Sequence, residues 1–269
     1  MSTVPALRPS IEPFESSRAK VIDLSSVIRK LEKNEEVKYN KDGSVDKRQP
    51  NKVAGVSSEV YPFTSEAEIK AMIDVFDKRI DEAPDENKRQ IACRNKMLFL
   101  IGINLGIRAS DLCGLKYNFF INNDGTFKDY YSLQPKKTRK TGKYVKLFFN
   151  ETVKKAIADY LVDYPVEDMN EYLFKSRKGD GHITEISLGR IIKDAAEEIG
   201  IERNICSHSL RKTFGYFVYH NADDKNNALI ILQTIFNHSS PAITSKYIGL
   251  RDDEMSEAFN SLDLGWDYI

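Results

Sequence analysis

Residues 207–249 read SHSLRKTFGYFVYHNADDKNNALIILQTIFNHSSPAITSKYIG, and this stretch decides the architecture. SLRKTFGYFVYH and ALIILQTIF show the helical pattern. Ser240-Pro241 then sets a further helix start, with serine as cap and proline in the first turn. Three consecutive helical segments with short polar joints make this end of the chain helical.

Working outward, SLGRIIKDAAEEIG and TVKKAIADYLVDY show the same helical pattern. Between Tyr117 and Asn150 the character changes: aromatic and β-branched residues surround Asp124-Gly125, and KYVKLFF alternates after a glycine turn at Gly142. A small antiparallel sheet is predicted there. Further back, CRNKMLFLIGINLG predicts a buried helix ending near Gly106, and Ser110 reads as the cap of a short helix through Leu115. In TSEAEIKAMIDVF, Ser65 and Glu68 have capping-box spacing, and Ile69, Met72, Ile73, Phe76 and Ile80 share one helical face. The fold class is therefore mainly α with a small antiparallel β-sheet, one domain spanning residues 63–269. Residues 1–62 are polar, with prolines at 5, 9, 13 and 50. They read as a largely flexible extension in which only Val21 to Leu31 could form a short amphipathic helix.

Composition narrows the function. No apolar run approaches the ~20 residues of a membrane span, and the start lacks a signal-peptide layout, so a cytoplasmic protein is expected. Cys93, Cys113 and Cys206 are far apart and odd in number, without metal-ligand spacing, so neither a disulfide framework nor a metal site is expected. The 40 basic and 40 acidic residues cancel. Their distribution does not: residues 136–146, KKTRKTGKYVK, contain no acid, whereas 252–267 contain no Lys or Arg. A basic working surface beside an acidic tail suits a nucleic-acid partner despite the neutral total.

Chemistry-bearing residues fall in a definite order. His208 and Arg211 lie three apart at the head of a helix that Ser207 would cap, where side chains and free N–H groups together favour an anion. His238 and Tyr247 flank the short helix begun by Ser240-Pro241. Arg108 follows the buried helix, and Lys137 and Lys140 sit in the basic turn. Each has a plain structural alternative: Arg108 bonding helix carbonyls, Tyr247 as a packing residue, the lysines as a solvated turn.

Taken together, Arg108, a hairpin lysine, HSLR, and HSSPAITSKYIG with His238 nine residues before Tyr247 resemble the tyrosine recombinases of the phage-integrase type. The resemblance covers roughly Phe63 to Phe259, and TFGY and NHSSP are similar to integrases of Gram-positive mobile elements. It implies a recombinase catalytic domain acting on double-stranded DNA through a 3′-phosphotyrosine at Tyr247, without cofactor or metal. It further implies Arg108 and Arg211 on the non-bridging phosphate oxygens, with His238 as a further donor. His208 stands at the general-base position, and Lys140 would protonate the leaving 5′-oxygen. Lys137 is the alternative hairpin lysine when the turn is read forward from the first strand. The family also implies a homo-oligomer on DNA, a tetramer at synapsis. Its contacts would come from the C-terminal segment, where Met255, Phe259, Leu262, Leu264 and Trp266 are apolar. Residues 1–62 are shorter and more polar than the helical DNA-binding domain that the family usually places before the catalytic one. The competing functions are a type IB topoisomerase-like enzyme and a non-catalytic DNA-binding regulator that keeps the fold.

Overall fold

The computed structural model divides the chain into units of residues 1–57 and 58–269. It describes residues 59–177, 179–249, 256 and 259–261, without the side chains of Thr138, Lys140 and Thr141. The expected helix at Val21 to Leu31 and most of the apolar C-terminal set lie outside the described residues.

Eight α-helices, two short 3-10 helices and one two-stranded sheet are the named elements of the described residues. Helix α1, Glu66–Asp81, begins where the capping spacing put it: the Ser65 hydroxyl accepts from Glu68 N at 3.2 Å. The Glu68 carboxylate reaches one residue further back, to Thr64 N at 2.8 Å, and also pairs with Arg203. Met72 and Phe76 are fully buried on the expected face. Helix α2, Glu86–Leu105, starts earlier than its apolar run, because Asp85 caps a polar first turn through Lys88 N. It stops at Gly106, whose φ of 59° is left-handed. A Cβ there would also lie 2.3 Å from Cδ1 of Phe214, so both conformation and space require glycine.

Helix α3, Ala109–Cys113, corrects the expected cap. Arg108, not Ser110, is the N-cap, because the N–H groups of Asp111 and Leu112 both donate to its carbonyl. The strands β1 (Tyr130–Leu133) and β2 (Val145–Phe148) pair antiparallel, Tyr130 opposite Phe148 and Leu133 opposite Val145. Between them the basic stretch winds into a 3-10 helix, Lys136–Thr141, stopped by Gly142 at φ 64°. Helices α4 (Glu151–Asp163) and α5 (Glu185–Glu198) follow, capped by Asn150 and Thr184.

Three helices complete the domain: α6 (Ser207–His220), α7 (Lys225–Phe236) and α8 (Pro241–Ile248). Ser207 is the first helical residue of α6, and the cap falls on Cys206; its N–H donates to the Ser209 hydroxyl, which reaches back at 3.1 Å. Helix α8 starts as its sequence predicts, with Ser240 as cap and Pro241 in the first turn.

Buried side chains form two clusters. The larger gathers α1 to α5 with the sheet and includes Leu210 of α6; the smaller joins Tyr219, Ala228, Leu232, Phe236 and Ile248 from α6, α7 and α8. Helix α6 thus belongs to both. Its Gly215 permits the close approach of α8, since a Cβ there would meet Ile248 Cγ2 at 2.5 Å and the Phe236 ring at 3.0 Å. The chain entering the domain is fastened to the same region. Tyr61 N donates to Asn204 O, Arg203 donates to Pro62 O, and Phe63 N donates to the Thr213 hydroxyl.

Candidate active site

Arg211 sits at the seam of the two clusters, only 5% exposed. Its guanidinium donates to Gly106 O at 2.9 Å, at the end of α2, and to Phe236 O at 3.0 Å, at the end of α7. It lies 4.2 Å from the centroid of the Phe236 ring and hydrogen-bonds the Tyr247 phenol. A planar fork can serve two carbonyls and still keep a hydrogen on each terminal nitrogen for a third partner. Burial, the main cause, pushes its pKa from the ordinary 12.5 down to about 10, with Arg108 also lowering it and Tyr247 and Asp111 opposing. It remains a cation at neutral pH.

Arg108 converges on the same point from the head of α3. It is half-buried, and its guanidinium donates to Phe236 O at 3.4 Å. One carbonyl therefore holds both arginines, and the two positive charges face a common space.

Tyr247, penultimate in α8, is half-buried in the smaller cluster. Phe236 and His238 meet its ring edgewise, with centroids 5.5 and 5.2 Å away and planes at 71° and 73°. Burial raises the phenol's pKa, while the charges of Arg211 and Arg108 and the Arg211 hydrogen bond pull it down. The resting phenol is therefore protonated.

The histidines lie on either side. His238 Nδ1 is 3.1 Å from the hydroxyl of Thr244, a residue with no exposed surface, and the backbone of His238 is tied to Gln233. Burial first, then Arg211 and Arg108, push its pKa from 6.5 down to about 4, so the ring is neutral at ordinary pH. His208 is exposed at the rim of the site. Partial desolvation, then Arg211, Arg108 and Lys137, lower its pKa against the opposing charge of Glu185. A neutral imidazole at the rim is able to accept a proton.

Five of the six expected residues are thus brought together: Arg108, His208, Arg211, His238 and Tyr247. The sixth, Lys140, lies in the 3-10 helix, but its side chain is outside the described residues. Lys137, one residue into that helix, is exposed, and its charge bears on His208. A cleft of about 400 Å³ runs beside His238, lined by Lys143, Tyr144, Val145, Gln233, Thr234 and Asn237. Another, of about 500 Å³, lies around Arg94, Tyr117 and Tyr160 and contains none of these residues.

Two contributors escaped the sequence reading. Asp111 is 5% exposed, accepts from Lys136 N at 2.8 Å, and supplies negative charge near Arg211. Its one sequence signal is the spacing of three from Arg108 on a short helix. Thr244 orients His238, and nothing but its position within HSSPAITSKYIG marks it.

A buried arginine clasp, a second arginine, two neutral histidines and a tyrosine in contact with guanidinium suit covalent chemistry on a phosphate. The family model described as the phage integrase family matches residues 62–254. The chain belongs to that family. It is 38% identical over 181 residues to the probable integrase/recombinase YoeC of Bacillus subtilis (strain 168), covering 66% of this chain and 91% of YoeC. The crystal structure of XerA recombinase superposes with a TM-score of 0.54 at 24% identity, covering 77% of this chain and 66% of XerA. XerH site-specific recombinase, in a post-cleavage complex with its palindromic difH substrate, gives 0.54 at 18% identity over 87% of this chain and 64% of XerH. The chain spans between 36% and 54% of the length of the curated Xer recombinases it matches. Membership in the phage integrase family makes the chain a DNA breaking-and-rejoining enzyme of the tyrosine recombinase type, and the mainly helical fold with one small sheet is the one its sequence predicts. No helix among the described residues is long and apolar enough to cross a membrane.

Proposed function

We propose that this domain, taken as residues 63–269, cuts and rejoins double-stranded DNA site-specifically through a covalent bond between Tyr247 and a 3′-phosphate. The observation that carries the assignment is the Tyr247 phenol lying against Arg211, a buried cation, in the same chain. The solved XerH complex, similar in fold, is a recombinase with its DNA substrate, which supports DNA as the partner; a cytoplasmic workplace is part of the same proposal.

In the cleavage step the phenol oxygen bonds to phosphorus and the bond from phosphorus to the 5′-oxygen breaks. Arg108 and Arg211 hold the non-bridging oxygens through the hydrogens left on their terminal nitrogens, and their charge is worth most where water is excluded. In the tautomer whose Nδ1 accepts from the Thr244 hydroxyl, His238 would present Nε2–H to the same phosphate. His208, neutral at the rim, takes the phenol proton. The leaving 5′-oxygen takes a proton from the basic 3-10 helix, and Lys140 is assigned that role, with Lys137 the alternative. Attack by a partner strand's 5′-hydroxyl reverses each transfer and regenerates Tyr247. Exchange between two duplexes involves four strands, so the working unit is taken as a homotetramer, one tyrosine for each.

Incubating the chain with a nicked suicide substrate, whose short 5′-hydroxyl fragment diffuses away, should trap a protein–DNA adduct linked to the 3′-end. A chain that binds the DNA and forms no adduct would be a regulator that keeps the fold.

A further inference from the structure

Lys212 follows Arg211 in α6 and has no part in the scheme above, yet only 8% of its surface is exposed. A lysine is seldom taken inside a protein without a carboxylate partner. For Lys212 the charge of the Glu59 carboxylate meets part of that need, and its Nζ also faces Tyr247, with the ring centroid 5.5 Å away. Arg211 stands 6.0 Å from the same centroid. The ring is therefore held by two aromatic edges, Phe236 and His238, and by two cations.

A cation close to a neutral aromatic ring is attracted by its quadrupole. Once the ring carries a phenolate the attraction becomes one between full charges, and it is strongest where water is excluded. Such a contact strengthens as the phenol loses its proton, so it favours the transition state over the resting state. We propose that Lys212 is a positioning residue for cleavage, its ammonium holding the Tyr247 ring in place and stabilising the phenolate as it forms. The proposal rests on reading Tyr247 as the nucleophile. Lys212 neither gives nor takes a proton: that of the phenol goes to His208 as the oxygen–phosphorus bond forms and the bond to the 5′-oxygen breaks.

The groups facing Tyr247 are Arg211, Lys212 and Cys206 from α6 and its cap, Arg108 from the head of α3, and His238 from the turn before α8. Those facing Lys212 are Tyr247, Cys206 and Glu59. Burial lowers the pKa of Lys212, and Glu59 and Cys206 oppose that shift. Removing the charge should therefore register in how Tyr247 ionises, whereas removing mere packing should not.

The test is single-turnover adduct formation by the full chain on a nicked suicide substrate at saturating DNA, from about pH 6 to about pH 9.5. Lys212→Met, which keeps the stem and drops the charge, should slow the step about ten- to hundredfold and move the midpoint of its pH dependence up by about one unit. Lys212→Arg should restore most of the rate and the wild-type midpoint. A Lys212→Met variant that is slower with an unmoved midpoint would mean packing alone and overturn the proposal. Should that variant not fold, ultraviolet difference titration of Lys212→Gln, each protein referenced to its own Tyr247→Phe partner, reads the phenol directly. A Tyr247 ionisation unmoved from wild type would then sink the idea. Wild-type chain that forms no adduct at any pH would defeat the nucleophile assignment instead.

Discussion

Replacing each arginine by lysine should separate two roles that the site combines. Arg211 is 5% exposed and joins the carbonyl of Gly106, which lies between Leu105 and Ile107 of the larger cluster, to that of Phe236 in the smaller one. A single ammonium at that depth cannot span both, so one charged hydrogen bond is lost and one buried carbonyl is left unmet, a cost of about 2–4 kcal/mol. Arg108 is half-buried and makes one contact of 3.4 Å, so Arg108→Lys should cost less than about 1 kcal/mol. Catalysis should not discriminate in this way. Each substitution removes a two-pronged contact with the phosphoryl oxygens, and cleavage should fall about 10²- to 10³-fold in both. Urea denaturation at constant slope gives the stabilities, and single-turnover adduct formation at saturating DNA gives the rates. Equal stabilities for the two variants would refute the clasp, and an Arg211→Lys rate within tenfold of wild type would refute the phosphate contact.

Gly106→Ala forces a left-handed alanine whose Cβ overlaps Phe214; a stability loss of about 2–5 kcal/mol and little adduct should result, and a wild-type melting temperature would contradict this. Lys140→Ala should slow cleavage of an ordinary phosphodiester far more than of a substrate with a 5′-bridging sulfur, while Lys137→Ala should weaken mainly binding; the reverse pattern moves the acid role to Lys137. The folded-state pKa of His238 is depressed to about 4 from 6.5. Its contribution to stability is thus complete above about pH 6.5 and is lost as pH falls toward 4, where the unfolded chain binds a proton that the folded ring refuses. Denaturation midpoints across that window should fall less steeply for His238→Gln than for wild type, and identical slopes would show that the ring is not desolvated.

Periodicity and caps made most of the fold legible, because they are local. Ser65 and Ser240-Pro241 start their helices where they stand, and Met72 and Phe76 face inward as their spacing predicts. Three features depend on distant or competing partners and were misread or missed. Ser110 is a good cap by type, yet the chain leaving left-handed Gly106 brings Arg108 to the cap position first. Ser207 gave way to Cys206 because the hydroxyl of Ser209 reaches back to the Cys206 N–H. The basic stretch winds into a 3-10 helix rather than a bare turn, and Asp111, 25 residues away, accepts the N–H of Lys136 at its start. Within the site, the order of Arg108, His208, Arg211, His238 and Tyr247 was visible in the sequence. The carbonyl of Phe236 that holds both arginines was not, because a backbone acceptor leaves no trace in residue type.

The central claim is that Tyr247 forms the covalent bond to DNA, and adduct formation by Tyr247→Phe on a nicked suicide substrate tests it most directly. The substitution removes one oxygen from a ring whose packing comes from Phe236 and His238, so fold and DNA affinity should stay close to wild type. No adduct should be detected, while the wild-type chain yields one whose DNA-linked peptide contains Tyr247. An adduct at wild-type yield from Tyr247→Phe would place the nucleophile elsewhere and overturn the roles assigned around it.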